Sequence, residues 1–422
     1  MIRLLRLLAR LEWPMRLLGP LFGRFNPLHP DRRRNPYPAY RKLRERAPVY
    51  RHPIIRIWFL SRYEDCAAVL KDPAFSVRRM ELPAMQRMVA PLREDFREMI
   101  TRNLLMLDPP DHTRLRALVG KAFTPRVVER LRPRIQAIVD ELLDGVEAAG
   151  EMDLIRDFAY PLPVIVIAEM LGVPASDRAR FIAWSNRLVA IVDPITSPET
   201  LESVQPAFHE MAAYLRGICE ERRREPRDDL ISALVAAEEQ GDALTPAELI
   251  STCSIILGAG YETTASILGN SVMALLRNPG ERKRLQDDPS LIASAVEEFL
   301  RYDPPVQATD RIAMRDCEIG GKRIRKGSLV VTLLAAANRD PARFPDPERL
   351  DLGRQDNAHL SFSHGVHFCL GAQLARAELQ IALGTLLRRF PDFDGDPSTD
   401  AWRPSITLRG LTTLPLTLRP SL

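Results

Sequence analysis

The stretch SFSHGVHFCLGAQLARAE, residues Ser361 to Glu378, contains the feature that decides the fold. It places one cysteine, Cys369, shortly after two histidines and directly before a long helical pattern. Backbone N–H groups at a helix N-terminus can stabilise a thiolate, because they place positive partial charge beside the sulfur. Gly365 and Gly371 would let the backbone approach a flat ligand closely. The stretch therefore predicts a charged sulfur that faces a bound group.

Two other interpretations of this stretch come from the residues alone. His364, His367 and Cys369 are close together and could bind zinc, but a structural zinc site needs four ligands and no second Cys/His cluster supplies the fourth. Alternatively, Cys369 could be a nucleophile with His367 as its base. His367 is badly placed for that role at two residues away, and no third, orienting residue is evident. Neither alternative is favoured, although neither is eliminated.

Composition narrows the class of protein. The chain has 422 residues, of which 45% are hydrophobic and 27% are charged, as in an ordinary globular protein. Its formal net charge of +4 is small for this length and gives little support to a nucleic-acid-binding role. The five cysteines are odd in number and far apart, so we expect no disulfide framework and a cytoplasmic location. Four of them are interpreted as small buried hydrophobic residues: Cys66, Cys219, Cys253 and Cys317.

Residues 1–26 are predicted to form a basic amphipathic extension. Arg3, Arg6 and Arg10 recur at helical spacing and limit each apolar run to far fewer than the roughly 20 residues of a membrane span. No cleavage site of a signal peptide follows a clean apolar run. The extension could lie on an anionic membrane surface, at its inner face, or it could pack on the body or fray. We expect residues 27–422 to form a single domain.

Apolar periodicity predicts a mainly helical chain with a smaller β-rich part. The longest predicted helix starts at a capping box formed by Thr245 and Glu248 and ends at Asn278-Pro279. At 1.5 Å per residue this helix would be about 50 Å long, and its nearly uniform apolar composition predicts a buried middle. Residues 48–61 predict a two-strand ribbon, and residues 310–331 predict a meander.

Glu262-Thr263-Thr264 interrupts the middle of this apolar helix. Burying an unpaired carboxylate costs several kcal/mol, and Gly258 and Gly260 each weaken a helix by about 1 kcal/mol relative to alanine. A helix that gives up stability at its midpoint is expected to gain function there. A carboxylate beside a hydroxyl can relay protons into a dry pocket. A polar turn that faces a loop is the alternative interpretation.

Two further pairs of charged residues have helical spacing. His112 and Arg116, at i and i+4, are potential cations that repel each other mildly, and a bound dianion would reverse that effect. A solvated basic face is the alternative. Glu298 and Arg301, at i and i+3, would by themselves be an ordinary surface ion pair that contributes little to stability.

Taken together, these motifs resemble the cytochrome P-450 family, and specifically its soluble bacterial haem-thiolate monooxygenases. FSHGVHFCLG is similar to the haem-binding loop F-x-x-G-x-H-x-C-x-G, and AGYETT to the oxygen-activation signature. EFLR is similar to the E-x-x-R motif, and HTRLR to H-x-x-x-R. The motifs occur in the family's order from about residue 27 to the end. One departure is Ser363, where bacterial members more often have glycine, and it puts only fine loop geometry in question.

The resemblance implies a fold and a cofactor. The fold would be mainly α with a smaller β-rich lobe, and haem b would be sandwiched between the long central helix and the cysteine loop. Cys369 would be the axial thiolate on the haem iron. Other residues would contact the haem, the first four through its propionates: His112, Arg116, Arg311, His367, Phe362 and Gly371.

The resemblance also implies roles in catalysis and in bracing the loop. Thr263 would be the oxygen-activating hydroxyl, Glu262 would supply its protons, and Gly260 would let dioxygen sit in a local distortion of the helix. A buried ion network would brace the cysteine loop, and its members would be Glu298, Arg301 and Arg349.

The implied reaction is monooxygenation of an apolar small molecule with O₂ and two electrons, by hydroxylation or epoxidation. A separate ferredoxin or flavodoxin with its reductase would deliver the electrons and could dock near Arg114, Lys121 and Arg376. We expect a monomer that binds no nucleic acid. A haem-bound sensor or carrier without turnover is the alternative, and the Glu262–Thr263 pair favours the enzyme. Four segments are expected to line the substrate pocket: 76–105, 185–202, 306–309 and 408–411.

Overall fold

The computed structural model describes most of the chain: residues 25–26, 29, 31–188, 198–239, 244–399, 401–403, 405 and 407–419. The predicted N-terminal extension therefore lies outside the described residues, apart from Phe25 and Asn26. Residues 189–197, within one predicted substrate segment, also lie outside them. No helix in the described part is long and apolar enough to cross a membrane.

Helices dominate the described residues, as the 3.6-residue periodicity predicts. A π-helical turn, Leu154–Ala159, precedes the eighth α-helix. The α-helices of the described part are α1 (Asp31–Arg34), α2 (Tyr37–Arg46), α3 (Tyr63–Lys71), α4 (Pro83–Val89), α5 (Glu94–Thr101), α6 (Asp111–Gly120), α7 (Pro125–Glu147), α8 (Pro161–Met170), α9 (Arg178–Leu188), α10 (Pro198–Arg224), α11 (Leu230–Glu239), α12 (Pro246–Arg277), α13 (Pro279–Asp287), α14 (Ile292–Tyr302), α15 (Leu334–Ala337) and α16 (Ala372–Arg389).

The strands are short and form a minor part of the described chain. They are β1 (Val49–Arg51), β2 (Trp58–Leu60), β3 (Phe75–Ser76), β4 (Glu151–Asp153), β5 (Thr309–Ala313), β6 (Cys317–Ile319), β7 (Lys322–Ile324), β8 (Leu329–Thr332), β9 (Asp394–Gly395) and β10 (Pro415–Thr417). Five of them form a sheet in the order β1-β2-β8-β5-β3, in which only the β2–β8 pair is parallel.

The structure confirms the predicted ribbon and corrects the predicted meander. Strands β1 and β2 pair antiparallel, with Val49 opposite Leu60. Strand β5, however, pairs directly with β8, and β6 and β7 form a separate hairpin between them. Gly320 and Gly321 both have positive φ at the hairpin turn, which suits a tight two-residue connection between twisted strands. After this hairpin the chain enters β8, which pairs with β5 and not with β7. The four strands therefore do not form a meander.

The described chain divides into two compact units, each built from separated segments. The first consists of the described residues within 1–76, 266–369 and 387–422, and contains the five-stranded sheet. The second consists of residues 77–265 and 370–386. The prediction that residues 27–422 form a single domain stays a prediction.

Helix α12 begins and ends where its sequence predicts. The Glu248 amide donates to the Thr245 hydroxyl oxygen at 3.2 Å, and the Thr245 amide donates to the Glu248 carboxylate at 2.9 Å. This reciprocal pair is the predicted capping box. The helix ends at Arg277, before Asn278-Pro279, and its 32 residues correspond to about 48 Å.

Candidate active site

Cys369 is exposed, whereas Cys66, Cys219 and Cys253 are buried and Cys317 is partly buried. Burial raises the pKa of the Cys66 and Cys253 thiols, and it raises the pKa of Cys219 to about 11. These three thiols stay protonated at neutral pH, which confirms their interpretation as small buried hydrophobic residues. Cys369 is therefore the thiol that a ligand from outside the chain can reach most easily.

The loop that carries Cys369 is tightly folded within the first unit. The Cys369 amide donates to the Phe362 carbonyl at 2.8 Å, and the Phe368 amide donates to the Gly365 carbonyl at 3.0 Å. Gly365 has a φ of +72°, and a Cβ there would lie 2.6 Å from the carbonyl oxygen of Leu70. Both the backbone conformation and the close approach therefore require glycine at this position.

Ser363 also has left-handed backbone, with a φ of +63°. Its hydroxyl oxygen is buried and has no hydrogen-bond partner among the described residues. The departure from the family pattern thus places a strained L-residue where glycine would be relaxed. At Gly371, by contrast, an added Cβ would meet nothing within 4 Å, so packing among the described residues does not require glycine there.

Glu298 is the centre of a buried ion network in the first unit. Glu298 and Arg301 are both fully buried, and the Arg301 guanidinium donates to both carboxylate oxygens at 2.8 Å. The second cation is Arg354, whose Nε lies 3.1 Å from Glu298 Oε2, and Asn357 donates to the same oxygen at 3.1 Å. The prediction that the Arg349 side chain belongs to this ion network is wrong. Arg349 is exposed and contributes only its backbone carbonyl, which accepts from Arg301 at 3.1 Å.

This network is connected to the chain that leads into the cysteine loop. Arg301 Nη1 donates to the Asn338 carbonyl at 3.0 Å. The Asn338 side chain donates to the Ser361 hydroxyl at 2.8 Å and accepts from the Leu360 amide at 2.8 Å. The Ser361 hydroxyl in turn donates to the Leu300 carbonyl at 2.7 Å. These contacts support the predicted bracing role of Glu298 and Arg301.

In the second unit, Glu262 lies buried in α12, with 1% of its surface exposed. The Tyr160 hydroxyl lies 3.0 Å from each of its two carboxylate oxygens. The neighbouring Thr263 hydroxyl donates to the Ala259 carbonyl at 2.9 Å, and the Thr264 hydroxyl makes the same bond one residue further on. Glu262 and Thr264 are therefore buried, whereas Thr263 is only partly buried.

Helix α12 runs through Gly260 without interruption, so the structure shows no break in the helix at this residue. A Cβ at Gly260 would lie 2.5 Å from Cδ1 of Ile167 on α8. Gly260 therefore has a packing role, because it lets α8 approach α12 closely. Its predicted role toward dioxygen stays a prediction.

The four residues expected to contact propionates are divided between the two units. His112 and Arg116 lie on α6 in the second unit, and burial and the charge of Arg116 lower the pKa of His112. Arg311 lies buried on β5 in the first unit and donates to the Asp310 carbonyl at 2.7 Å. His367 is partly buried in the turn before Cys369. Their roles toward a cofactor stay predictions.

Comparison with known proteins identifies the family. The sequence model of the cytochrome P450 family matches residues 15–419. This chain belongs to the cytochrome P450 family. Cytochrome P450 CYP107DY1 of Priestia megaterium is 43% identical over 395 residues, which cover 89% of this chain and 94% of that protein. The vitamin D(3) 25-hydroxylase of Pseudonocardia autotrophica is 43% identical over 393 residues, which cover 92% and 94%.

Solved structures of cytochromes P450 have the same fold. The crystal structure of myxobacterial cytochrome P450 CYP267B1 in complex with myristic acid has a TM-score of 0.85 at 45% identity. The match covers 93% of this chain and 98% of that protein. The predicted fold class, mainly α with a smaller β-rich part, is confirmed. The chain is a haem-thiolate monooxygenase, an oxidoreductase with iron protoporphyrin IX as its cofactor.

The residues present fit this cofactor. Cys369 is an exposed cysteine, the residue type whose thiolate binds haem iron in haem-thiolate proteins, and its loop is held by the network around Glu298. Among the described residues, no group of three or more His, Cys, Asp or Glu side chains could hold a metal ion. The zinc interpretation needs such a group, so the donor set favours the haem.

Three residues of interest escaped the sequence analysis: Tyr160, Arg354 and Glu378. Tyr160 is 102 positions from Glu262 and Arg354 is 56 positions from Glu298, so no helical spacing connects either pair. Glu378 is buried in α16, and its Oε2 has no hydrogen-bond partner among the described residues. A charged residue inside the apolar pattern after Cys369 was the one available signal for it.

Proposed function

We propose that this P450 hydroxylates or epoxidises an apolar small molecule, using electrons from a separate ferredoxin or flavodoxin and its reductase. The observation that carries the proposal is the exposed thiol of Cys369 on a braced loop. The Glu262–Thr263 pair on α12 supports turnover instead of passive ligand binding, because it provides an acid beside a hydroxyl.

Cys369 is the proposed axial ligand of the haem. When bound, the haem supplies the redox chemistry that activates dioxygen, and a thiolate ligand favours O–O cleavage. The other residues proposed to contact the cofactor act by charge or by close approach, and they are His112, Arg116, Arg311, His367, Phe362, Gly371 and Gly260. A cationic side chain at a propionate would form a charge-assisted hydrogen bond.

Glu262 and Thr263 are the proposed proton-transfer residues. The Thr263 hydroxyl donates its hydrogen to the Ala259 carbonyl, so its oxygen lone pairs remain able to accept a hydrogen bond. Glu262 is shielded from bulk water but holds a carboxylate that can take up and release a proton. In this proposal Glu262 supplies protons one at a time from a position that bulk water does not reach directly.

Two of the predicted substrate segments lie side by side in the first unit. In the first unit, Val306 bridges to Leu408, and the Gln307 amide donates to the Thr407 carbonyl at 2.8 Å. Segments 306–309 and 408–411 are therefore neighbours, as a shared lining requires.

In the second unit, helix α5 of the predicted segment 76–105 packs against α10. The Phe96 ring centroid lies 5.1 Å from that of Phe208, and Met80 and Met88 pack against the apolar core. Flexible methionine side chains adapt to irregular apolar ligands. The names of two relatives contain apolar molecules, vitamin D(3) and myristic acid, which supports the same class of substrate here.

A redox partner is proposed to dock on exposed basic residues of the second unit. Arg114 should attract an acidic redox partner less than an unpaired arginine would, because its guanidinium is paired with the Glu248 carboxylate at 2.5 Å. Lys121 is exposed, so it contributes more to the proposed attraction than Arg114 does, and Arg376 is partly buried. Charge reversal at Lys121 and Arg376 together should slow reduction by the partner, and an unchanged rate at low salt would remove this part of the proposal.

The test of the proposed function is a screen of apolar compounds against purified, haem-loaded protein. Bound substrate should shift the haem from low to high spin, and hits should give oxygenated product when ferredoxin, its reductase and O₂ are supplied. Cys369→Ser is the matched control and should lose the red-shifted absorption of the reduced, CO-treated protein. If that variant keeps the absorption and turnover, Cys369 is not the ligand. If spin shifts occur without product, the monooxygenase proposal fails.

A further inference from the structure

Tyr160 lies outside every motif of the family resemblance. Its hydroxyl lies 3.0 Å from both Oε1 and Oε2 of Glu262. Glu262 is 1% exposed, so its carboxylate depends on protein donors to offset the loss of water. Tyr160 is therefore in direct contact with the carboxylate to which proton transfer is assigned above.

Tyr160 is itself held in place by local structure and packing. It follows the π-helical turn Leu154–Ala159, and its amide donates to the Ile155 carbonyl at 3.0 Å. Its ring centroid lies 6.0 Å from that of Tyr261, the residue next to Glu262. The Tyr261 hydroxyl in turn donates to the Ser185 carbonyl at 2.5 Å. The phenol is thus placed by contacts that do not involve Glu262.

Helix α8, which begins directly after Tyr160, is also held close to α12. Ile167 of α8 would lie 2.5 Å from a Cβ at Gly260. Residues 162–168 of α8 are all buried. Two points of contact, Ile167 at Gly260 and Tyr160 at Glu262, therefore fix this helix and the carboxylate relative to each other.

The chemistry of the contact allows Glu262 to be held and released. A phenol hydroxyl has one hydrogen, so it can donate to only one of two equidistant carboxylate oxygens at a time. A neutral donor of this kind binds a carboxylate less strongly than a bidentate arginine does. The hydrogen bond from Tyr160 can therefore exchange between the two carboxylate oxygens more easily than a bidentate ion pair could.

We propose that Tyr160 is the positioning residue for Glu262, holding its carboxylate ready for proton transfer by a hydrogen bond that can be exchanged. The proposal rests on the proposed function of Glu262 as a proton-transfer residue. It goes beyond that function, because it assigns control of the acid to a residue more than one hundred positions away in sequence. Tyr160 acts through Glu262 and is not itself assigned a contact with substrate or cofactor.

The test uses Tyr160→Phe, which keeps the ring and removes only the hydroxyl. Tyr214→Phe is the matched control, because the Tyr214 hydroxyl also donates to a carboxylate, that of Asp177, at 2.7 Å in the same unit. Both variants and Glu262→Gln are prepared with haem, and the CO spectrum and the substrate dissociation constant are checked first. These two measurements should match wild type in Tyr160→Phe and Tyr214→Phe.

We expect Tyr160→Phe to lower the rate of product formation about tenfold, which is below the 10²–10⁴-fold typical for loss of a proton-transfer group itself. Its solvent deuterium isotope effect on turnover should rise, and more of the electrons consumed should appear as peroxide. In the Glu262→Gln background the same substitution should cause no further loss of rate, because the carboxylate it positions is gone. Tyr214→Phe should leave rate and isotope effect unchanged.

A second measurement does not depend on turnover. The melting temperatures of Tyr160→Phe, Glu262→Gln and the double variant form a thermodynamic cycle, and the double variant should lose less than the sum of the single losses. Additive losses in melting temperature, an unchanged isotope effect in Tyr160→Phe, or an equal loss of rate with and without Glu262 would each overturn the proposal. Failure of the function itself would look different, since product would then be absent in wild type.

Discussion

Ser363 shows how a single residue can leave strain in a functional loop. Its φ of +63° is unfavourable for a residue with a Cβ, and its buried hydroxyl makes no hydrogen bond within the described part of the chain. Two residues later, Gly365 has a similar φ but has no room for a side chain. Position 363 therefore tolerates a Cβ at the cost of backbone strain, whereas position 365 has no room for one.

Ser363→Gly should therefore stabilise the protein, because it relaxes the backbone and removes the unpaired hydroxyl. We expect the free energy of unfolding to rise by about 0.5–1 kcal/mol, since glycine's extra entropy in the unfolded chain offsets part of the gain. Denaturant unfolding measures the change. Gly365→Ala is the control and should destabilise by about 1–3 kcal/mol, because its Cβ meets the Leu70 carbonyl. Destabilisation by Ser363→Gly would show that the loop is not strained at this residue.

The buried carboxyl group of Glu378 should make the free energy of unfolding depend on pH. Burial raises the pKa of Glu378 to about 8. An unfolded glutamate loses its proton near pH 4.3, so between that pH and pH 8 the folded chain binds a proton that the unfolded chain has released. Stability should therefore be highest at the acid end of this window and fall as the pH rises through it.

Glu378→Gln should remove that decline, because an amide does not titrate. Relative to wild type, the variant should gain about 3–4 kcal/mol in unfolding free energy from pH 5 to pH 8, because each pH unit over most of this window changes the stability of the wild type by about 1.4 kcal/mol. Urea unfolding at several pH values gives the two curves. Glu129→Gln, at an exposed position on α7, serves as the control. Parallel curves for wild type and Glu378→Gln would contradict a buried, protonated Glu378.

At the scale of elements, the packing of α8 on α12 depends on the absence of a side chain at Gly260. Gly258 lies in the same helix, and an added Cβ there would meet nothing within 4 Å. The two glycines therefore separate the effect of helix propensity from the effect of interhelical packing.

We expect Gly258→Ala to stabilise the protein by about 0.5–1 kcal/mol, the gain in helix propensity. Gly260→Ala should instead destabilise it by about 1–3 kcal/mol, because its Cβ would lie 2.5 Å from Ile167 Cδ1. Thermal unfolding measures the stability of Gly258→Ala and Gly260→Ala against that of the wild type. Ile167→Val shortens the opposing side chain and should recover part of the loss at Gly260→Ala. If both alanine variants stabilise equally, the close approach of the helices is wrong.

Elements defined by local signals were predictable, and contacts between distant segments were not. Thr245, Glu248 and Pro279 mark the ends of α12 within a few residues, because capping and proline effects are local. The partners of Glu298 and Glu262 depend on how distant segments pack. Arg349 is the predicted member of the ion network and Arg354 is the observed one, because both lie in one charged loop and only the folded backbone decides which guanidinium points inward.

At the scale of the whole molecule, the second unit is completed by a segment from far along the chain. Within that unit, Arg132 of α7 donates to Gln380 at 2.8 Å, and Gln136 donates to Thr385 at 3.1 Å. Ala377, Ala382 and Leu383 of the same segment are fully buried. Residues 77–265 therefore lack part of their core unless residues 370–386 are present.

A fragment of residues 77–265 should be open to protease and bind a hydrophobic dye. Joining residues 370–386 to it through a flexible linker should slow proteolysis and reduce dye binding, because the missing apolar surface is restored. The same fusion with Leu383→Asp is the control and should behave like the shorter fragment. Equal protection of the short fragment and the intact fusion would show that the segment adds nothing to this unit.

Because the second unit is built from distant segments, its folding must wait until the ribosome has made the later one. A ribosome finishes residue 265 about 120 residues before it finishes residue 386, an interval of roughly 6–24 s at ordinary translation speeds. Throughout that interval the nascent chain exposes apolar surface that residues 370–386 cover in the folded unit. We therefore expect chaperones to bind this nascent chain, and overexpression beyond the supply of chaperones should lead to inclusion bodies.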